Sequence, residues 1–210
     1  MLVLGDAHAD DPDNRQALLA AYERTDESAA LQTGDLLYYD LPRPTWFVAG
    51  NNEAFDVIDA LRAGRQPPDV SNANLLASTA AEVDGIRVGG LSGNYAPTQY
   101  EKSRDELSGE RRRHFVREDV ERAKDLDVDV LVTHEAPHGL LSLGYDPGSE
   151  PIDELLAEVD PELCLVGHYH RHTEAEIEGC KVVSLAPAWE RSYTLDPETL
   201  ELASHPLDCG

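Results

Sequence analysis

Five short polar blocks punctuate the chain in one order: Asp6-Ala7-His8, Gly34-Asp35, Gly50-Asn51-Asn52-Glu53, Thr133-His134-Glu135 and Gly167-His168-Tyr169-His170. Each begins where a short apolar run ends: Leu2-Val3-Leu4, Ala29-Ala30-Leu31, Trp46-Phe47-Val48, Val130-Leu131-Val132 and Leu163-Cys164-Leu165-Val166. Carboxylate, imidazole and carboxamide groups gathered at the ends of several strands are donors for divalent cations, and two such cations side by side drive hydrolysis. Asp6 and His8 lie two apart past a strand end, so both project the same way if the extended geometry persists. Gly34 lets the backbone turn tightly before Asp35, and Gly167 removes a side chain that would crowd ions held by His168 and His170. Each histidine alone reads as a satisfied core or surface residue. The ordered set, each block at a strand end, points to metal.

The elements that position these blocks follow from apolar periodicity. Strands are expected at Met1–Leu4, Ala29–Gln32, Thr45–Ala49, Asn74–Leu76, Ala80–Val83, Ile86–Leu91, Asp129–Thr133 and Leu163–Val166. Four more follow, alternating as antiparallel strands: Thr173–Ile177, Lys181–Leu185, Ser192–Leu195 and Leu200–Ser204. Asp84-Gly85 reads as a tight hairpin turn and Pro67-Pro68 as a surface turn. Helices are expected with Ala17, Leu18, Ala21 and Tyr22 on one face after a cap at Asp13 or Asn14, and at Ala54–Leu61, Glu110–Leu126 and Ile152–Val159. The third of these carries Phe115, Val116, Val120 and Ala123 inward. Strand-helix units followed by antiparallel strands suggest two sheets packed face to face with helices outside, and 210 residues without a linker or repeat suggest one domain over 1–210.

A net charge of −24, from 41 acidic and 17 basic residues, is extreme for this size. Such a surface resembles those adapted to a high-salt cytoplasm, where counterions screen self-repulsion. It also disfavours nucleic acid as a partner unless salt is high or a basic patch is local. The chain opens directly on a strand, with no basic leader and no long apolar span, so a cytoplasmic protein without a membrane partner is expected. Cys164, Cys180 and Cys209 have no metal-like spacing and suggest no disulfide framework.

The five blocks resemble the calcineurin-like metallophosphoesterase family, whose pattern is D-x-H, G-D, G-N-H-[DE], H and G-H-x-H. That resemblance implies a four-layer αββα sandwich of two mixed sheets and a phosphoester hydrolase whose nucleophile is a hydroxide bridging two divalent ions. It implies that Asp35 bridges both ions, that Asp6, His8 and His170 complete the first, and that Asn51, His134 and His168 complete the second. The histidine content favours Mn²⁺ or another transition metal (Fe²⁺, Zn²⁺, Ni²⁺) over Mg²⁺.

One position departs. Asn52 stands where the family carries the histidine that contacts the scissile phosphate and protonates the leaving group, and Glu53, which would orient that histidine, is retained. An amide can donate a hydrogen bond but cannot deliver a proton at neutral pH. Phosphodiesterase is therefore favoured. The alternatives are a phosphomonoesterase or protein phosphatase with a substitute donor, a weak enzyme, and a metal-bound non-catalytic module. His138 and His114 are the candidate substitute acids. Each has a bland reading: His138 as an exposed loop residue, His114 and Arg111-Arg112-Arg113 as a solvated helix face paired with Glu110, Glu118 and Glu121. Arg171 and Asn94 are candidate substrate contacts, whereas His172 is expected to start the next strand. Gly85 to Gly93, with Asn94-Tyr95 after it, together with the Gly50–Ala54 loop and the Thr-His-Glu strand end, is similar to the catalytic domain of RNA lariat debranching enzymes. That similarity brings in nucleic acid as a candidate substrate.

Overall fold

The computed structural model describes residues 1–207; Cys209 lies outside them. The strands are β1 Leu2–Leu4, β2 Ala30–Gln32, β3 Asp40–Phe47, β4 Ser71–Leu75, β5 Thr79–Val83, β6 Ile86–Leu91, β7 Val130–Thr133, β8 Leu163–Val166, β9 Thr173–Ile177, β10 Cys180–Ser184, β11 Arg191–Leu195 and β12 Leu202–Pro206. The helices are α1 Pro12–Glu23, α2 Phe55–Arg62, α3 Pro97–Tyr100, α4 Arg117–Lys124 and α5 Glu150–Val159.

Two six-stranded mixed sheets form, in the orders β12-β11-β1-β2-β3-β4 and β5-β6-β7-β8-β10-β9. In each, four neighbouring strands run parallel, β1 to β4 in the first and β6, β7, β8 and β10 in the second. Side chains alternate across every parallel strand, which creates three cores. Val3, Leu31, Val48, Val88, Val130, Val132, Leu165 and Val183 form the layer between the sheets. The opposite faces carry Leu2, Leu4 and Phe47 against Leu18, Ala21 and Tyr22 of α1 and Ile58 of α2. On the second sheet Leu131, Cys164 and Val182 pack on Val120 of α4 and Ile152 and Leu155 of α5. The result is the αββα sandwich, and all parallel strands deliver their C-terminal ends to one side.

Local chemistry sets the boundaries. Asp11, not Asp13 or Asn14, caps α1, accepting from Asp13 N at 2.9 Å and Asn14 N at 3.2 Å. Asp84 and Gly85 take positive φ of 48° and 89°, the hairpin turn that joins β5 to β6. The expected helix Glu110–Leu126 is not continuous: a 3₁₀ turn spans Gly109–Arg113 and α4 starts only at Arg117. Between them the chain is extended, because Asn94 N donates to Arg113 O and Phe115 N to Asn94 O. That pairing sinks Phe115 against Tyr95 and Tyr100, a gain in burial that outweighs helix propensity. Cys164 and Cys180 are buried and free, and burial pushes the Cys180 thiol up to about 11. Among the described residues, no helix is long and apolar enough to cross a membrane.

Candidate metal centre

Five strand ends meet through hydrogen bonds between their loops. Thr33 N donates to Leu4 O, and Ala7 N and His8 N both donate to Asp35 O, at 3.2 and 2.7 Å. Gln32, buried at the end of β2, bonds Gly5 O at 3.1 Å, Gly34 O at 2.5 Å and Gly34 N at 2.8 Å. His8, Asp35, His168 and His170 all have left-handed backbones, with φ of 43°, 53°, 72° and 50°. A left-handed residue other than glycine costs on the order of 1 kcal/mol, so four at one place mark a backbone held for a purpose other than stability.

The resulting cluster is tight. Asp6 Oδ2 lies 3.0 Å from His170 Nε2, His8 Nε2 lies 3.3 Å from His170 Nε2, and Asp35 Oδ2 lies 3.4 Å from His8 Nε2. On the other side Asp35 Oδ1 lies 3.7 Å from His134 Nε2, which is 3.0 Å from Asn51 Oδ1. Asp35 thus presents one oxygen to each half. Ligand atoms of Asp6, His8 and His170, and of Asp6, Asp35 and His134, lie within 4.8 Å of one another. His168 enters differently: its N–H donates to both Asp6 oxygens at 3.0 Å, and its ring lies 5.0 Å from that of His134.

The donor chemistry fits cations. Thr33 O can only accept, so His134 Nδ1, 2.8 Å away, carries the ring proton. His134 Nε2 then points a lone pair at the amide oxygen of Asn51, 3.0 Å away. Two acceptors face each other with nothing to share unless a proton or a cation lies between them. His8 Nε2 and His170 Nε2 converge beside the Asp6 and Asp35 oxygens at 3.0–3.4 Å, nitrogen and oxygen donors of the kind that hold divalent cations. Burial lowers the basicity of His134, but the Asp6 and Asp35 charges outweigh it and raise its pKa. For Asp6 burial pulls upward, yet His170, His134 and the His168 N–H together hold the carboxyl below its ordinary value. The Asp6 hydrogen bond raises His170, whereas burial and His134 lower His168. Backbone closeness completes the cradle. A Cβ on Gly50 would lie 2.1 Å from Asp35 Oδ1, and one on Gly167 2.6 Å from Asp6 Oδ1.

The flanking residues divide. Asn52 clamps the Asp35 carboxylate: its N–H donates to Asp35 Oδ1 at 2.6 Å and its Nδ2 to Asp35 Oδ2 at 2.8 Å. The Glu53 carboxylate does not engage the Asn52 side chain. It accepts from Leu36 N, Leu37 N, Gly50 N and the Tyr39 hydroxyl, and burial pushes its pKa up to about 7. Glu53 therefore ties the Asp35 loop to the Asn51 loop. His138 is bonded to Asp153 of α5, Nδ1 to Oδ2 at 2.6 Å, and contacts no ligand side chain. Its raised pKa comes from Asp153. His114 lies on no helix; its Nδ1 is 3.3 Å from Asn94 O, and burial lowers its pKa. Asn94 is half-buried with Oδ1 unpartnered, Arg171 is exposed, and His172 rests on Tyr193 at 3.3 Å.

The sequence reading missed three participants. Trp189 lies against two histidines of the cluster, its ring centroid 5.3 Å from His170 and 5.8 Å from His8, on a loop tied back by Ala188 N donating to Asp6 O. Glu135 accepts from Tyr95 N at 2.9 Å and the Tyr169 hydroxyl at 2.5 Å, linking the His134 and His168 loops. Gln32 carried the one available signal, a polar residue closing an apolar strand.

The family model described as calcineurin-like phosphoesterase matches residues 1–172. Lariat debranching enzyme of Schizosaccharomyces pombe is 27% identical over 158 residues, 61% of this chain and 33% of that one. Its counterpart in Drosophila pseudoobscura pseudoobscura is 26% identical over 173 residues, 70% and 30% respectively. The chain thus spans about a third of the length of these curated relatives. Among solved structures, the TT1561 protein of Thermus thermophilus superposes with a TM-score of 0.63 at 17% identity, covering 98% of this chain and 97% of that one. An archaeal phosphodiesterase does so at 0.53 and 11%, covering 99% and 100%. These likenesses establish the fold.

Proposed function

The chain belongs to the calcineurin-like phosphoesterase family, and we propose that it is a two-metal phosphodiesterase built on the Asp6, His8, Asp35, Asn51, His134, His168 and His170 cluster. The observation that carries this reading is the convergence of imidazole nitrogens and carboxylate and amide oxygens at 3.0–3.4 Å around Asp6 and Asp35, with His134 Nε2 aimed as an acceptor at Asn51 Oδ1. Two divalent ions bound there would activate a water and polarise the phosphoryl oxygens.

The chain's own residues do the rest. Asp35 spans the two halves, and Asn52 fixes the rotation of its carboxylate through two donors. Thr33 O fixes the His134 tautomer so that Nε2 faces the centre. Asn52 can give a phosphoryl oxygen a hydrogen bond but no proton, so the leaving group must depart as a stable anion or take its proton from water. Diesters with good leaving groups suit that limit better than alkyl monoesters. Mn²⁺ is the proposed metal because imidazole and carboxylate mix in both halves. Nucleic acid is a proposed substrate, supported by the partial similarity to lariat debranching enzymes. A salt-rich cytoplasm is the proposed setting, supported by the charge of −24.

The test is a matrix of Mn²⁺, Mg²⁺, Ni²⁺ and Zn²⁺ against aryl monoesters, aryl diesters, cyclic nucleotides and short RNA in molar KCl. Turnover highest on diesters with Mn²⁺ supports the proposal. Faster monoester turnover would replace it with a phosphomonoesterase, and no turnover on any ester with a non-catalytic metal-bound module.

A further inference from the structure

The acidic chain concentrates its arginines. Arg104, Arg111, Arg112, Arg113, Arg117 and Arg122 all lie within 104–122 of a sequence with 17 basic residues in total. Three have carboxylates of their own: Arg112 takes Asp56 at 2.7 Å and Asp59 at 2.8 Å, Arg113 takes Glu110 and Arg117 takes Glu101. One group does not.

Asp119, 1% exposed, sits in the first turn of α4. Its Oδ2 accepts from Val116 N at 3.1 Å and from Arg104, and its Oδ1 accepts from Arg122 at 2.5 Å. With those oxygens engaged, Arg62 at the end of α2 comes no nearer than 4.0 Å. Among the described residues the Arg62 guanidinium makes no hydrogen bond, although its side chain is only 18% exposed. Arg104 Nε is buried without an acceptor as well. Three guanidinium groups thus surround one carboxylate. Nearby anions are committed elsewhere, Asp59 to Arg112 and Glu118 to Arg104 N at 2.9 Å. Burial and the Arg104 charge press the Arg62 pKa down to about 10, as expected where cations crowd.

These arginines line a surface pocket of about 230 Å³ whose other walls include Leu61, Leu75 and Thr79. Three guanidinium groups sharing one carboxylate, with Arg62 and the Arg104 Nε left without an acceptor, carry excess positive charge partly out of water, and a tetrahedral oxyanion in their midst would offset it through forked, charge-assisted bonds. We propose that the Arg62, Arg104 and Arg122 pocket is a phosphate-binding site separate from the Asp/His cluster. The phosphate is either free or part of a phosphodiester chain. The site requires no particular chemistry at the metal centre and stands apart from the phosphodiesterase reading.

The experiment measures the melting temperature of the full chain in Mn²⁺ buffer as inorganic phosphate replaces chloride at constant ionic strength. Wild type, Arg62→Gln, Arg62→Lys and Arg122→Gln are compared. Any phosphate taken by the metal centre stabilises all four equally, so the difference between them reports the pocket. At about ten times the dissociation constant the wild-type shift should exceed that of Arg62→Gln by roughly 3–5 °C, with Arg62→Lys in between. Arg122→Gln, at a side chain 60% exposed, removes a charge at the rim of the pocket and should also lose part of the shift. Equal shifts in wild type, Arg62→Gln and Arg122→Gln would overturn the proposal. Repeating the titration with a six-nucleotide single-stranded RNA separates the sources. An Arg62-dependent shift with RNA assigns a chain phosphate, and one with inorganic phosphate only assigns the free ion.

Discussion

Replacing Asn52 by histidine probes the one place where the chain departs from its family. A positioned general acid contributes about 10²–10⁴-fold, but the structure limits how much Asn52→His can regain. The substitution removes the Asn52 Nδ2 bond to Asp35 Oδ2 at 2.8 Å, and a hydrogen bond to a charged group is worth about 1.5–3 kcal/mol. Glu53 is already bonded to three backbone N–H groups and Tyr39, so it is not free to fix the tautomer of the new imidazole. The expected gain is therefore about 10- to 10²-fold for esters of poor leaving groups, and none for aryl esters that need no proton. The assay is log kcat/KM against leaving-group pKa for a series of phosphodiesters, with both proteins in Mn²⁺ and molar KCl. Wild type should give the steeper negative slope. Parallel lines would refute the reasoning, because residue 52 would then not face the leaving group.

Gly50→Ala should abolish metal binding outright, since its Cβ would meet Asp35 Oδ1 and the Asp35 backbone nitrogen at 2.1 and 2.6 Å; dialysis followed by metal analysis reads it. Trp189→Ala should weaken Mn²⁺ at the Asp6, His8 and His170 position about 10-fold, the lower end of what outer contacts of ligands contribute, as followed by the Mn²⁺ electron paramagnetic resonance signal. With 41 acidic residues, the melting temperature should climb between 0.1 and 2 M KCl as repulsion is screened; a flat or falling curve would contradict the salt-adapted reading.

The parts of this molecule that short-range chemistry dictates were legible in the sequence. Val3, Leu31, Val130 and Leu165 alternate with outward residues, and that period places them between the sheets. The gathering of the five polar blocks was legible because a parallel strand must release its polar residues at its end. Long-range competition was not legible. Phe115 leaves the expected helix because Asn94, some twenty positions earlier, offers it a backbone partner. His138 turns to Asp153 because α5 packs beside its loop. Trp189 follows an ordinary Pro-Ala turn, and only the bond from Ala188 N to Asp6 O swings it onto His8 and His170. Glu53 was expected to serve residue 52 and instead binds the Asp35 loop, since Leu36 N and Leu37 N of that turn converge on it together with Gly50 N.

The central claim is that Asp35 joins two cation positions, one oxygen facing His8 at 3.4 Å and the other His134 at 3.7 Å. The direct measurement is metal per chain, by mass spectrometry of dialysed protein, alongside diester turnover in wild type, Asp35→Asn, His8→Ala and His170→Ala. The account expects about two ions in wild type. Asp35→Asn should lose more metal and more turnover than either histidine variant, with the fold intact by melting temperature. Full metal content and turnover in Asp35→Asn would contradict it.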